Sequence, residues 1–172
     1  MATESGSIHV ILVDDQAMVG EAMRRMLSDD KELRLTHVQD STTAHAIIRE
    51  AQPTVVIVDL VMPELDGMHL IRKIRMDEST RDIPAIMLSS ESDVHRKVEA
   101  FQAGANDFLV KMPDRLELVA RIQALAAKSI AERELRLMAD QLQQQAVALD
   151  EANRSLQAIN ISLESDVSEQ RE

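Results

Sequence analysis

The sequence predicts an α/β fold, a doubly wound sheet of five parallel strands, followed by a long coiled-coil helix. Five short runs rich in Val, Ile and Leu alternate with five segments whose apolar residues recur at helical spacing. Polar, chemistry-bearing residues cluster where those runs stop, and in such sheets function collects at the carboxyl ends of the strands. After Pro113 the 172-residue chain contains neither Gly nor Pro, and Leu recurs there at every seventh position.

The first run, residues 8–13 (IHVILV), stops abruptly at Asp14-Asp15, which reads as a strand buried on both faces that opens into a polar loop. Further strands are expected at 33–38 (LRLTHV), 54–58 (TVVIV), 83–88 (IPAIML) and 107–110 (DFLV). The intervening helices fall at about 17–28, 42–51, 66–76, 93–103 and from 114 onward. Such alternation requires right-handed crossovers, so helices cover both faces of the sheet. The domain boundaries follow as a disordered N-terminus over 1–7, the α/β domain over 8–127 and a coiled-coil helix over 128–172.

That last stretch is rich in Ala, Gln, Leu, Glu and Ser and has no core of its own. Leu135, Leu142, Leu149, Leu156 and Leu163 repeat at intervals of seven, which meets the sequence criterion for a coiled coil. With these Leu at d, the a positions are Ala139, Ala146, Asn153, Asn160 and Val167, and Asn at a selects a parallel two-stranded register. The other frame, with Leu at a, places Met138, Gln145, Ala152, Ile159 and Asp166 at d and buries a charge. A parallel homodimer is therefore expected, with a tetramer as the alternative.

Composition narrows the function classes. Aromatic residues are 1% of the chain, two Phe with no Trp or Tyr, so stacking platforms for nucleic acid are excluded. A net charge of −11 leaves no basic face for DNA, RNA or anionic lipid. Without cysteine there are no disulfides, thiolate metal sites or thiol nucleophiles. The N-terminus lacks the plan of a signal peptide and no apolar run approaches a membrane span, so a cytoplasmic protein is expected.

Asp14 and Asp15 end the first strand and Asp59 ends the third, and these strands are neighbours in a doubly wound sheet. Three clustered carboxylates repel one another and call for a cation, and an all-oxygen set suits Mg²⁺ or Mn²⁺. Lys111, after the fifth strand, supplies a second positive charge, and Ser89 a hydroxyl. A carboxylate nucleophile, a divalent ion, a lysine and a hydroxyl are what phosphoryl transfer needs, with Asp59 becoming an aspartyl phosphate. The plainer reading is that Asp14-Asp15 cap the next helix and Asp59 begins a turn.

The segments V-D-D (13–15), V-D-L-V-M-P-E-L-D-G (58–67), L-S-S (88–90) and G-A-N-D-F-L-V-K (104–111) resemble the receiver domain of two-component response regulators over about residues 7–127. Within that family the chain is similar to the receiver of Wsp-type regulators with a diguanylate cyclase output, notably in VDDQAMVGEA, TRDIPAIMLSS and GANDFLVKMPDRLELVARI. The resemblance implies a flavodoxin-like sheet of order 2-1-3-4-5. It further implies Asp15 as the main metal ligand with Asp14 assisting, Asp59 as phosphoacceptor and Val61 as a ligand through its backbone carbonyl. Ser89 takes the place of the switch hydroxyl, Ser90 is the small residue beside the phosphate, Phe108 the aromatic switch and Lys111 the phosphoryl contact. A sensor histidine kinase is the implied phosphoryl donor. The family usually sets Pro directly after this lysine, whereas Met112 intervenes here before Pro113, as in the Wsp-type regulators, and the fifth helix is open to an altered start.

Two other functions compete. A metal-dependent phosphatase with an aspartate nucleophile, resembling the haloacid dehalogenase family, would carry an acidic residue two positions after the nucleophile, where Val61 stands. An oligomerising scaffold with a degenerate receiver is opposed by the complete acceptor set. The chain ends within helix, with no DNA-binding module and no cyclase signature, so an output domain is expected to be missing. His9, His37, His45, His69 and His95 are scattered and receive no function, and the ten Met read mainly as core filler. Turn and C-cap geometry nearly accounts for Gly67 and Gly104.

Overall fold

The computed structural model describes residues 7–90 and 92–169, with side chains up to residue 161. The expected N-terminal disorder falls almost entirely outside these residues, as do the side chains of Leu163, Asp166 and Val167. Five strands, β1 (Ile8–Val13), β2 (Leu33–Val38), β3 (Val55–Asp59), β4 (Ala85–Ser89) and β5 (Asp107–Val110), form one parallel sheet of order β2-β1-β3-β4-β5. Strands β3 and β4 each end one residue later than the apolar runs do. Asp59 remains in the ladder opposite Leu88, and Ser89 opposite Val110. At the other end β4 starts at Ala85, two residues late, because Pro84 has no N–H to give, although its carbonyl accepts the Val56 N–H at 2.9 Å.

The helices are α1 (Ala17–Leu27), α2 (Ser41–Ala51), α3 (Gly67–Met76), α4 (Val94–Ala103) and α5 (Arg115–Glu169). Asp66 and Asp93, expected inside helices, instead precede them in extended backbone, where their carboxylates accept the His69 and His95 N–H groups. Asp40 caps α2 in the same way, and the Leu116 N–H finds Asp114 Oδ1 at 2.8 Å at the start of α5.

Strand alternation sends side chains to two cores. Ile11, Val13, Val56, Val58, Ala85, Met87 and Phe108 meet α2, α3 and α4, while Val10, Leu12, Val55, Ile57, Ile86, Leu88 and Leu109 meet α1 and the first turns of α5 through Leu118, Ile122 and Ala126. Methionine divides differently from the expectation of core filler. Met23, Met62, Met68 and Met87 are buried, but Met18, Met76, Met112 and Met138 are exposed.

At the amino end of the sheet Arg75 ties several loops. Its Nε donates to the Gly104 carbonyl (2.9 Å), Nη1 to the carbonyls of Arg81 (3.0 Å) and Ile83 (2.8 Å), and Nη2 to Asn106 Oδ1 (2.8 Å). Asn106 Oδ1 also accepts the Ala85 N–H at 2.9 Å, and the Asn106 N–H returns to the Ala85 carbonyl at 2.8 Å.

The chain divides into two units, residues 1–130 and 131–172. In the second, every described side chain from 131 to 161 is exposed, including Leu135, Leu142, Leu149 and Leu156. Among the described residues no helix is long and apolar enough to cross a membrane.

Candidate functional site: an acidic pocket at the carboxyl end of the sheet

Asp14 follows β1 directly and is fully buried, and Asp59, the last residue of β3, is 1% exposed. Because β1 and β3 are hydrogen-bonded neighbours, ladder geometry alone brings these two carboxylates together. Asp14 Oδ1 accepts the Gln16 N–H at 2.9 Å in a turn ahead of α1, whose N-cap, Gln16, makes no side-chain cap bond, so the expected capping by Asp14-Asp15 is not what the structure shows. Lys111, one residue beyond β5, reaches in from the far side. Its Nζ lies 2.8 Å from Asp59 Oδ2 and 3.2 Å from Asp14 Oδ2.

One ammonium between two buried carboxylates leaves the pocket anionic, and Asp15 at its mouth adds a third acid. One oxygen from each of Asp14, Asp15 and Asp59 lies within 4.8 Å of the others, the only such acidic group among the described residues. Burial pushes the Asp59 carboxyl above the usual carboxylate range. The Lys111 hydrogen bond pulls it down, the Asp14 charge pushes it up again, and the net direction is upward. For Lys111, burial opposes the charge, but the hydrogen bonds and fields of Asp59 and Asp14 outweigh it and hold the ammonium above its ordinary pKa.

Asp15 Oδ1 is buried without a partner, whereas Asp14 Oδ2 is paired with the Lys111 ammonium at 3.2 Å. Leaving carboxylate oxygens buried and unpaired is costly. An oxygen-only set of three carboxylates with one orphaned acceptor, Asp15 Oδ1, fits a hard divalent cation.

The other sequence-derived residues surround this cluster unequally. Ser89, at the end of β4, is buried, and its carbonyl accepts the Lys111 N–H at 2.7 Å, which joins the two residues through backbone. Ser90 is exposed, as is the Val61 side chain, whose backbone N–H points at Asp59 Oδ1 from 3.4 Å. Phe108 stands apart from the acids, buried in the core beneath α4, with Lys97 Nζ 5.5 Å from its ring centroid. All the described peptide bonds are trans, and Met112 takes a left-handed φ of 57° where the inserted residue precedes Pro113.

Gly67 has a role that its sequence did not reveal. A Cβ there would sit 2.1 Å from the Asp59 carbonyl oxygen and 2.9 Å from its carbon, so glycine is required for α3 to start against the backbone of Asp59. Turn conformation is not the reason, since positive φ among the glycines is found at Gly104. The D-G pair at 66–67 directly before a helix was the available signal.

Residues 10–123 match the response regulator receiver domain family. Among curated proteins the chain is 30% identical over 123 residues to the DNA-binding dual master transcriptional regulator RpaA of Synechocystis, covering 70% of this chain and 49% of that protein. It is likewise 30% identical over 120 residues to the phosphate regulon transcriptional regulatory protein PhoB of Pseudomonas aeruginosa, covering 70% and 52%. The chain thus spans about half the length of the curated relatives it matches. Among solved structures, a putative response regulator from Chloroflexus aurantiacus superposes with a TM-score of 0.66 at 29% identity, covering 70% of this chain and 98% of that one. The receiver domain of a Pseudomonas aeruginosa sensor histidine kinase, with a magnesium ion coordinated in its active-site cleft, gives 0.64 at 28% identity with the same coverages. Sheet order, a buried acid pair bridged by lysine at the strand ends, and a family match across most of the α/β unit agree, and the chain belongs to the response regulator receiver domain family.

Proposed function

We propose that this receiver accepts a phosphoryl group on Asp59 from the phosphohistidine of a sensor histidine kinase, with Mg²⁺ or Mn²⁺ as cofactor. It then passes the state through the helix beyond residue 128 to an output module. The observation that carries the reading is the buried Asp59 carboxylate held by Lys111 Nζ at 2.8 Å beside Asp14 and the orphaned Asp15 Oδ1. An Asp59 carboxylate oxygen attacks phosphorus, forming a P–O bond as the P–N bond breaks, and the bonding pair leaves on the imidazole nitrogen. Asp14, Asp15, Asp59 and the Val61 carbonyl are the groups that would hold the cation. When bound, it neutralises charge on the transferring phosphoryl oxygens.

Lys111 exchanges its contact with Asp59 Oδ2 for a phosphoryl oxygen, the Ser89 hydroxyl donates to another, and the small Ser90 leaves room beside them. Phe108 then repacks, carrying the change towards α4 and α5. The magnesium-bearing receiver from Pseudomonas aeruginosa supports the metal assignment. For the output, similarity to Wsp-type regulators favours a diguanylate cyclase in the full-length protein, whereas RpaA and PhoB are transcriptional regulators. The exposed Leu135, Leu142, Leu149 and Leu156 support a parallel homodimer through the helix.

The test is acetyl phosphate with Mg²⁺, followed by intact-mass spectrometry. A single phosphoryl adduct is expected, lost in Asp59→Asn and on chelation of divalent ions. An unmodified parent protein, or an adduct that persists in Asp59→Asn, overturns the reading.

A further inference from the structure

Strand β2 contributes nothing to the acceptor chemistry, yet one of its side chains reaches the acidic pocket from behind. His37 Nε2 lies 2.7 Å from the backbone carbonyl oxygen of Asp14. A carbonyl only accepts, so the ring nitrogen there carries the proton. The carbonyl belongs to the peptide that joins Asp14 to Asp15, the two acids assigned to the cation. On the other side of the same residue the Asp14 N–H donates to the Val38 carbonyl at 3.1 Å. Consecutive residues of β2 therefore grip both polar groups of Asp14, one through backbone and one through an imidazole.

The ring can be there only because α1 makes room for it. A Cβ at Gly20 would lie 2.0 Å from His37 Nδ1 and 2.3 Å from Cε1, so the imidazole occupies the space where any other residue on α1 would place its side chain. Gly20 is the fourth residue of α1, inside the helix, where glycine destabilises by about 1 kcal/mol relative to alanine. Local helix stability does not account for it, whereas the ring lodged against it does.

We propose that His37, seated against Gly20, is a positioning residue for the Asp14-Asp15 peptide. By fixing that peptide plane it sets the direction from which the Asp15 carboxylate, with its buried and unpartnered Oδ1, meets the cation. The donor acts through the backbone, outside the set of metal-holding groups, as hydrogen bonds behind metal ligands commonly do. This inference rests on the receiver reading above.

The experiment measures Mg²⁺ affinity calorimetrically and stability by urea unfolding in the parent, His37→Leu and His37→Gln. Ring nitrogen shifts of His37 are recorded in ¹⁵N-labelled parent protein. Leu keeps bulk without a donor, and Gln restores an N–H at nearly the reach of Nε2. His37→Leu is expected to weaken Mg²⁺ binding about tenfold, the lower end of the usual range for a group supporting a metal ligand, and His37→Gln to restore it. The parent ring is expected to carry a proton on Nε2. Gly20→Ala, which drives the ring out, is expected to weaken Mg²⁺ binding as His37→Leu does. Equal affinities for His37→Leu and the parent overturn the proposal, as does an Nδ1-protonated neutral ring, which is read even if a variant fails to fold. A parent protein that binds no Mg²⁺ refutes the receiver reading instead, which separates the two failures.

Discussion

Replacing Gly67 by alanine tests whether the start of α3 is set by Asp59. The added Cβ would stand 2.1 Å from the Asp59 carbonyl oxygen, and ordinary contact begins at 3.4 Å, so a gap of about 1.3 Å must open. Its nearest neighbours are backbone atoms of Asp59 and Leu60, which cannot rotate aside as a flexible side chain can. Either α3 retreats, stretching the 3.0 Å bond from the Gly67 N–H to the Leu60 carbonyl, or the end of β3 is displaced. Overpacking of this kind costs about 1–3 kcal/mol, and a misplacement near 1 Å at a reacting group slows chemistry by about a hundredfold. Urea unfolding and the rate of phosphorylation by acetyl phosphate measure the two effects. Gly104→Ala is the contrast, because its φ of 105° strains any L-residue while its Cβ meets only the Arg75 side chain. That variant should lose about 1 kcal/mol or more and phosphorylate at the parental rate. Parental phosphorylation by Gly67→Ala would refute the argument.

Removing the ammonium in Lys111→Met strands two buried carboxylates, and breaking a buried pair in this way costs about 3–5 kcal/mol. The urea midpoint should fall in chelator and recover in part with Mg²⁺, and an unchanged midpoint in chelator contradicts the pocket's electrostatics. His9 is held below the ordinary imidazole pKa by burial and by Arg34, and His45 by burial and by Lys73 and Arg49 against the opposing pull of Asp77. For groups so depressed the unfolded chain binds protons first, so stability present above about pH 6.5 is lost as pH falls towards the folded-state values. Denaturation between pH 7.5 and 5.5 (roughly one unit either side of the reference imidazole value) should show this slope, and His9→Gln should flatten it. Light scattering over a concentration series should show dimers that dissociate in Leu149→Asp/Leu156→Asp. A parent that stays monomeric excludes pairing through the helix, and dimers that survive the double change move the interface to the α/β unit.

Much of this architecture was legible because burial leaves a one-dimensional trace. Strands covered on both faces appear as unbroken runs such as VVIV at 55–58, and their order fixes that Asp14 and Asp59 meet. Boundaries were less legible where a polar residue continues a ladder, as Asp59 and Ser89 do, or caps a helix that its spacing would place it inside, as Asp66 and Asp93 do. Contacts made across the fold through backbone left no pattern. Gly67 is explained only by the carbonyl of Asp59, and His37 only by a carbonyl 23 residues away together with a missing side chain on α1. Exposed methionines such as Met18 and Met76 misled because hydrophobicity read along a chain does not say which side of a helix faces outward.

The Arg75 junction locks the entrance edge of the sheet. Four of its hydrogen bonds, with the reciprocal pair between Ala85 and Asn106, fasten the entrances of β4 and β5 to the loops around them. The far ends of the same strands bear Ser89 and Lys111, joined to each other by one bond from N–H to carbonyl. The two strands are thus laced to each other at both ends, so the lysine of the acidic pocket and the residue that closes β4 stand in one frame with the Arg75 junction at the opposite edge of the sheet.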